Sequence, residues 1–173
     1  MRTIAQILKD SKTIAVVGLS NKPDRASYGV AEYLQQQGYR IIPVNPAYDG
    51  QEILGERVYS DLQSAADALA PNGTRIDIVD CFRKSEDIPP LARDAIAIRA
   101  GCLWMQLEIE NQAAADLARA AGLEFDDCPG FAALAADATA QQRAYAAYLS
   151  GRWEGLDAAL LPEQHRPVVA QGG

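Results

Sequence analysis

A chain of 173 residues suits one domain of ordinary size with an extension, and it can bury a core without disulfide or metal staples. Hydrophobic residues make up 49% and charged residues 23%, the balance of a soluble globular protein. The net charge of −7 argues against a general nucleic-acid or membrane surface, so any bound anion has to be held by a local cluster of cations.

The opening MRTIAQILKDSKTIAVVGLS lacks the charged n-region, apolar stretch and small-residue cleavage site of a signal peptide. No apolar run reaches the length of a membrane span, so the cytoplasm is the expected compartment. Within this opening Thr3 to Lys9 reads as a short helix. Thr13-Ile-Ala-Val-Val-Gly18 is then a continuous apolar run, as expected of a strand buried on both faces of a parallel sheet. Leu19 to Arg25 is a polar loop. Ser27 to Gln37 places Val30, Ala31 and Leu34 on one helical face, with Gly38 as its closing residue.

Tyr39 to Val44 reads as the second strand and Asn45 to Gly55 as a turn-rich stretch, with Val58-Tyr59 a short extended piece. A helix is expected over Asp61 to Leu69, broken by Pro71-Asn72-Gly73. Ile76 to Phe82 is the third strand. Asp87 is placed to cap a helix through about Ala100, with Pro89 and Pro90 tolerated in its first turn and Gly101 closing it. Cys102 to Leu107 follows as a strand, Asn111 to Ala121 as an Ala-rich helix ended by Gly122, and Leu123 to Asp126 as a last short strand.

Strands alternating with helices through short links are the pattern of βαβ units, and they predict one doubly wound parallel α/β domain of about five strands with helices on both faces. That domain is expected over residues 1–130, followed over 131–173 by a divergent, mostly helical C-terminal tail. In such a sheet, ligands bind outside the carboxyl ends of the strands where the strand order reverses. The loops after Gly18, Val44, Asp80 and Gln106 are therefore the place to look.

The first of these loops, Gly18-Leu-Ser-Asn-Lys-Pro-Asp-Arg25, leads from a strand into a helix, where backbone N–H groups and the helix dipole can receive a phosphate. Lys22 and Arg25 add positive charge; the plainer reading is that they solvate a surface loop. A dinucleotide-binding fingerprint would show GxGxxG here and an acid at the end of the second strand. This chain has one early glycine and Asn45-Pro46. The third strand ends in Asp80-Cys-Phe-Arg-Lys84, setting an aromatic ring and two cations at the same sheet edge. Phe82 is placed to pack on an adenine, or else belongs to the core, and Arg83 to fork onto phosphate oxygens.

Ile14-Ala-Val-Val-Gly-Leu-Ser20, Lys22-Pro-Asp-Arg25, Ser27-Tyr28, Gly38-Tyr39, Pro43-Val-Asn-Pro46, Ile53-Leu-Gly55, Val79-Asp-Cys-Phe-Arg83 and Trp104-Met-Gln106 together resemble a known family. It is the family of small stand-alone CoA-binding proteins, related to the N-terminal CoA-binding domain of the succinyl-CoA synthetase α subunit. The resemblance implies a Rossmann-like fold binding coenzyme A or an acyl-CoA, with the 3′-phospho-ADP part near the first loop and the pantetheine across the strand ends. Carried over residue by residue, it implies binding roles for Gly18, Ser20, Lys22, Arg25, Asn45, Pro46, Phe82 and Arg83. The chain departs from the family after Cys128-Pro129, where Gly-Phe-Ala-Ala-Leu stands in place of basic residues, and Gln164-His165-Arg166 reads as a chance match in the tail.

The related synthetases use a phosphohistidine on a separate domain, whereas this chain has one histidine, His165, and no nucleophile at credible spacing from a base. It is read as a non-catalytic binding or regulatory protein, with an NAD(P)-binding oxidoreductase on the same fold as the alternative. Cys81, Cys102 and Cys128 show no CxxC spacing, which points to neither a disulfide framework nor a zinc site. Asp126 and Asp127 beside Cys128 disfavour its thiolate, so a structural thiol is preferred to a redox-active one. In the tail, Tyr145, Tyr148, Leu149, Trp153 and Leu156 carry apolar surface. It is expected to pack on its own domain, with a homodimer or partner-protein contact as the alternative.

Overall fold

The computed structural model of the protein describes residues 7, 9–105 and 111–126. All lie in the compact unit Met1–Pro129. Expectations for residues 1–6, 8, 106–110 and 127–173, including Gln106, Cys128, His165 and the helical tail, lie outside the described residues.

Strand β1 is Thr13–Val17, buried at all five positions, as its unbroken apolar run requires of a central strand. Helix α1 (Ala26–Gln36) leads to β2 (Arg40–Val44). Pro43 in β2 lacks an N–H, and the position tolerates it because β2 is an edge strand of the main sheet. The carbonyl of Pro43 turns outward and accepts the Tyr59 N–H at 3.0 Å, so the missing donor faces the same side and no ladder bond to β1 is lost. After β2 come the short β3 (Glu52–Ile53) and β4 (Glu56–Arg57), then α2 (Leu62–Leu69) and β5 (Ile78–Cys81). Helix α3 (Ile88–Ala97), β6 (Cys102–Met105), α4 (Gln112–Ala120) and β7 (Glu124–Asp126) complete the described chain.

The main sheet has the order β2-β1-β5-β6-β7 with every pairing parallel. The chain leaves β1 in one direction to form β2, then crosses back over β1 to form β5, β6 and β7. The order therefore reverses between β1 and β5, and a crevice opens at their carboxyl ends. Alternate strand residues define the two faces. Ala15, Val17, Ile42, Val44, Val79, Cys81, Leu103 and Met105 join the buried sides of α2, α3 and α4 in one apolar cluster. The buried apolar residues of α1, Val30, Ala31 and Tyr33, stand outside that cluster, and α1 packs along β2 from the opposite face. Helices thus cover both faces, as the βαβ pattern predicts.

Two local expectations are corrected. The stretch Asn45 to Gly55 holds a strand as well as turns: β3 pairs antiparallel with β4, and Leu54 (φ 52°) and Gly55 (φ 77°) join the two. Positive φ at both central residues is the geometry of a type I′ hairpin, usually signalled by Asn-Gly, and Leu at the first position hides it. The side chain of Gln35 holds the turn by donating to the Leu54 carbonyl at 2.8 Å, and Arg40 pairs with Glu56 at 2.9 Å.

The second correction concerns the ends of α3. Asp87 occupies the cap position but makes no capping bond, since the turn Ser85–Asp87 delivers the chain already helical. The helix closes on Arg99, at φ 55°, and not on Gly101, whose N–H donates to the Asp77 carbonyl at 3.0 Å to start β6. Ala100 N–H bonds to the Ala95 carbonyl at 3.0 Å, the same closure that Gly38 and Gly122 permit for α1 and α4. A left-handed non-glycine residue costs about 1–2 kcal/mol, whereas glycine adds about 0.4–1 kcal/mol of unfolded-state entropy. Arg99→Gly is therefore expected to raise stability by up to about 1 kcal/mol. A urea midpoint below that of the wild type would contradict it.

Candidate functional site

The loops after β1, β2 and β5 meet at the reversal point. Gly18 N–H donates to the Val44 carbonyl and Phe82 N–H to the Val17 carbonyl, both at 2.8 Å, so the three chains are joined by backbone bonds just where they leave the sheet. Gly18 has φ +87°. A Cβ on it would collide with the Phe82 carbonyl oxygen, with the Phe82 carbonyl carbon at 3.1 Å and Arg83 Nε at 3.4 Å from the same point. The absent side chain thus lets the two loops touch and brings the Arg83 guanidinium over the start of the first loop.

The first loop is organised by short side chains. Ser27, buried in the first turn of α1, accepts the Ser20 N–H on its Oγ at 3.0 Å, and Ser20 Oγ accepts the Lys22 N–H at 3.1 Å. Arg25 N–H returns to the Lys22 carbonyl at 3.1 Å. This folded loop feeds α1 at Arg25, an extended residue (φ −86°, ψ 143°) that supplies no side-chain cap, and no acidic residue follows in the first turn.

The other helices that begin on this edge differ. Helix α2 is closed by Asp61, whose Oδ1 accepts the Ser64 N–H at 2.7 Å, and that bond chiefly holds the Asp61 carboxyl below its usual range. Helix α4 is closed by Asn111 Oδ1, accepting from Ala114 N–H at 3.0 Å. Helix α3 begins with prolines behind Glu86 and Asp87. Helix α1 thus begins with no side-chain cap and no acid in its first turn, with Asp24 just ahead of its cap and the cations Lys22, Arg25 and Arg83 on the adjoining loops. Among the described residues none of these cations has an ion-pair partner; the ion pairs there are Arg40–Glu56, Arg75–Asp77 and Arg119–Asp116. Such an edge can receive phosphate groups, while the space that a Gly18 side chain would take is filled by the Phe82 carbonyl, so Gly18 serves the contact between the loops.

Most residues singled out from sequence gather here. Gly18, Ser20, Phe82 and Arg83 are half-buried, while Lys22 and Arg25 are exposed. Pro46 is exposed and begins the turn Pro46–Tyr48. Asn45 is present, but its amide is engaged within the protein: Oδ1 accepts Ala47 N–H at 3.0 Å and Nδ2 donates to the Leu19 carbonyl at 3.1 Å. Sequence reasoning passed over Ser27 as a site residue and Asn111 as anything beyond the start of a helix. For Ser27 the available signal was its place in the first turn after a cation-bearing loop. Cys81 and Cys102 are buried in the sheet, and burial foremost pushes the Cys81 thiol well above its ordinary range, assisted by Asp80. A thiol so placed stays protonated and inert near neutrality.

A doubly wound parallel α/β domain with a crevice at its reversal point defines the class to which this fold belongs. Residues 12–133 match the family model described as a CoA binding domain, and the chain belongs to that family. It is 41% identical over 119 residues to the uncharacterized protein YneT of Bacillus subtilis strain 168, covering 69% of this chain and 82% of that one. Among solved structures, the cell-free ID.343 protein from Thermus thermophilus superposes with a TM-score of 0.62 at 31% identity, covering 70% of this chain and 86% of that one. Prb, a PH1109 protein redesigned for binding, does so with a TM-score of 0.61 at 34% identity, covering 69% and 78%. A hypothetical protein from Pyrococcus horikoshii OT3 also gives 0.61 at 32%, covering 72% and 87%. No described helix is long and apolar enough to cross a membrane.

Proposed function

We propose that the protein binds coenzyme A or an acyl-CoA at the carboxyl ends of β1, β2 and β5, and acts as a binding or regulatory protein. The observation that carries this reading is the contact of the Gly18 loop with Phe82 and Arg83 beside the uncapped start of α1. Three cations on that edge with no ion-pair partner among the described residues, in a chain of net charge −7, are a local site for a polyanion. Membership of the CoA-binding family supports the choice of polyanion. Lys22, Arg25 and Arg83 hold the phosphates, the Ser20 hydroxyl donates to them, Gly18 keeps the two loops in contact, and Phe82 stacks on the adenine next to Pro46. The end of β2, with Asn45-Pro46, lacks the acid that a dinucleotide site uses for the ribose hydroxyls of NAD.

Calorimetric titration of the reduced protein at one fixed salt concentration tests the reading, with CoA, acetyl-CoA, ADP and NAD compared. The expected result is saturable binding of CoA, weaker binding of ADP and no binding of NAD. Binding of NAD with silence toward CoA would overturn it.

A further inference from the structure

We propose that Asn45 and Asn111 are a pair of positioning residues for this site, each a latch that holds one cation-bearing loop in place; the inference rests on the ligand site proposed above. The two share one geometry. Both are extended, with φ −160° and ψ 118° at Asn45 and φ −148° and ψ 100° at Asn111, and both begin a helical turn on the carboxyl edge of the sheet. Each uses Oδ1 to cap that turn, accepting at 3.0 Å from Ala47 N–H and from Ala114 N–H respectively. Each then uses Nδ2 to reach the loop of the neighbouring strand. Asn45, following β2, donates to the Leu19 carbonyl in the β1 loop at 3.1 Å, and Asn111, following β6, donates to the Ser85 carbonyl in the β5 loop at 2.8 Å.

The β1 and β5 loops are the ones that flank the reversal point and carry Lys22 and Arg83. They are thus held from the outer side by one asparagine apiece, while Gly18 packs them against each other on the inner side. A cap alone would be served by Ser, Thr or Asp. Only asparagine among the cap residues adds a donor on a planar amide, and the partners, one N–H and one C=O, fix which end is which. The choice of Asn at both positions is therefore explained by the latch and not by the cap. A site that receives several phosphates needs its donors at fixed spacing before the ligand arrives, since ordering a loose loop on binding subtracts from affinity.

The substitutions Asn45→Ser and Asn111→Ser in the full chain separate the two roles, because serine keeps the capping oxygen and loses the reach to the neighbouring loop. Hydrogen exchange of the ligand-free protein is read first, then CoA affinity by titration. Melting temperatures are expected to stay near that of the wild type. The N–H groups of Ser20 and Lys22 are expected to exchange faster in Asn45→Ser and that of Asp87, which bonds Lys84, in Asn111→Ser. CoA affinity is expected to fall about 3- to 10-fold in each, the range for one lost neutral hydrogen bond. Where Asn45→Ser does not fold, Asn45→Thr keeps the capping oxygen without adding charge and serves the same comparison.

Unchanged exchange in both loops, with CoA still bound by the wild type, would refute the latch alone. Faster exchange with full CoA affinity would refute the positioning role. A wild type silent toward CoA would instead remove the CoA reading on which the inference rests.

Discussion

Gly18→Ala is expected to destabilise the protein by roughly 2–5 kcal/mol and to abolish measurable CoA binding. Two effects add at this residue. The positive φ of +87° is a conformation that an L side chain adopts at a cost of about 1–2 kcal/mol. The new methyl also meets the Phe82 carbonyl, which is backbone and cannot rotate away, and overpacking of that kind costs about 1–3 kcal/mol. Relief requires the β1 and β5 loops to separate, carrying Arg83 away from Lys22 and Arg25. Site and stability are thus lost together. The measurement is the urea midpoint alongside CoA titration, with Gly50→Ala as the control. Gly50 has φ +77° but nothing within 4 Å of its missing Cβ, so it bears the conformational strain without the collision. Equal losses at the two glycines would show that contact between the loops contributes nothing.

The frame of the domain was legible because parallel strands buried on both faces leave continuous apolar runs, and Thr13–Val17 and Cys102–Met105 are such runs. Once helices alternate with them, the reversal point and its crevice follow from chain geometry, which is why Gly18, Lys22, Phe82 and Arg83 were found together. The features that escaped are those in which an unusual residue fills a common role. Leu54 takes a hairpin position favoured by Asn or Gly, held by Gln35 from α1, and Arg99 takes the left-handed position that Gly101 was expected to supply. Both are tertiary overrides of local preference, invisible to a reading by propensity. Asn45 shows a different limit. The residue type and place pointed to the site, but its role depends on whether its amide faces a ligand or the Leu19 carbonyl, and only three-dimensional placement decides that.

Arg83→Ala combined with Lys22→Ala is expected to weaken CoA binding by about 100-fold or more while changing stability by less than about 0.5 kcal/mol. The small change in stability follows because neither side chain has an ion-pair partner among the described residues and Lys22 is exposed, so no folded-state pairing is broken. The large change in affinity follows from burial and charge. Arg83 is half-buried against Gly18, where a hydrogen bond to a charged group contributes about 1.5–3 kcal/mol, or roughly 10- to 150-fold in affinity. Lys22 sits in water and adds a smaller, salt-screened contribution, with a screening length of about 8 Å at physiological ionic strength. Raising the salt concentration should therefore weaken Arg83→Ala, which still relies on Lys22, proportionally more than Lys22→Ala. Arg83→Lys is expected to recover only part of the affinity, because an ammonium restores the charge but not the planar fork. The surrounding chain, at net charge −7, repels a polyanion, so loss of these two cations leaves only Arg25 and Lys84 of the cations singled out from sequence on that edge. If the double variant retains wild-type affinity, the phosphates bind elsewhere, and the uncapped start of α1 is an ordinary helix end.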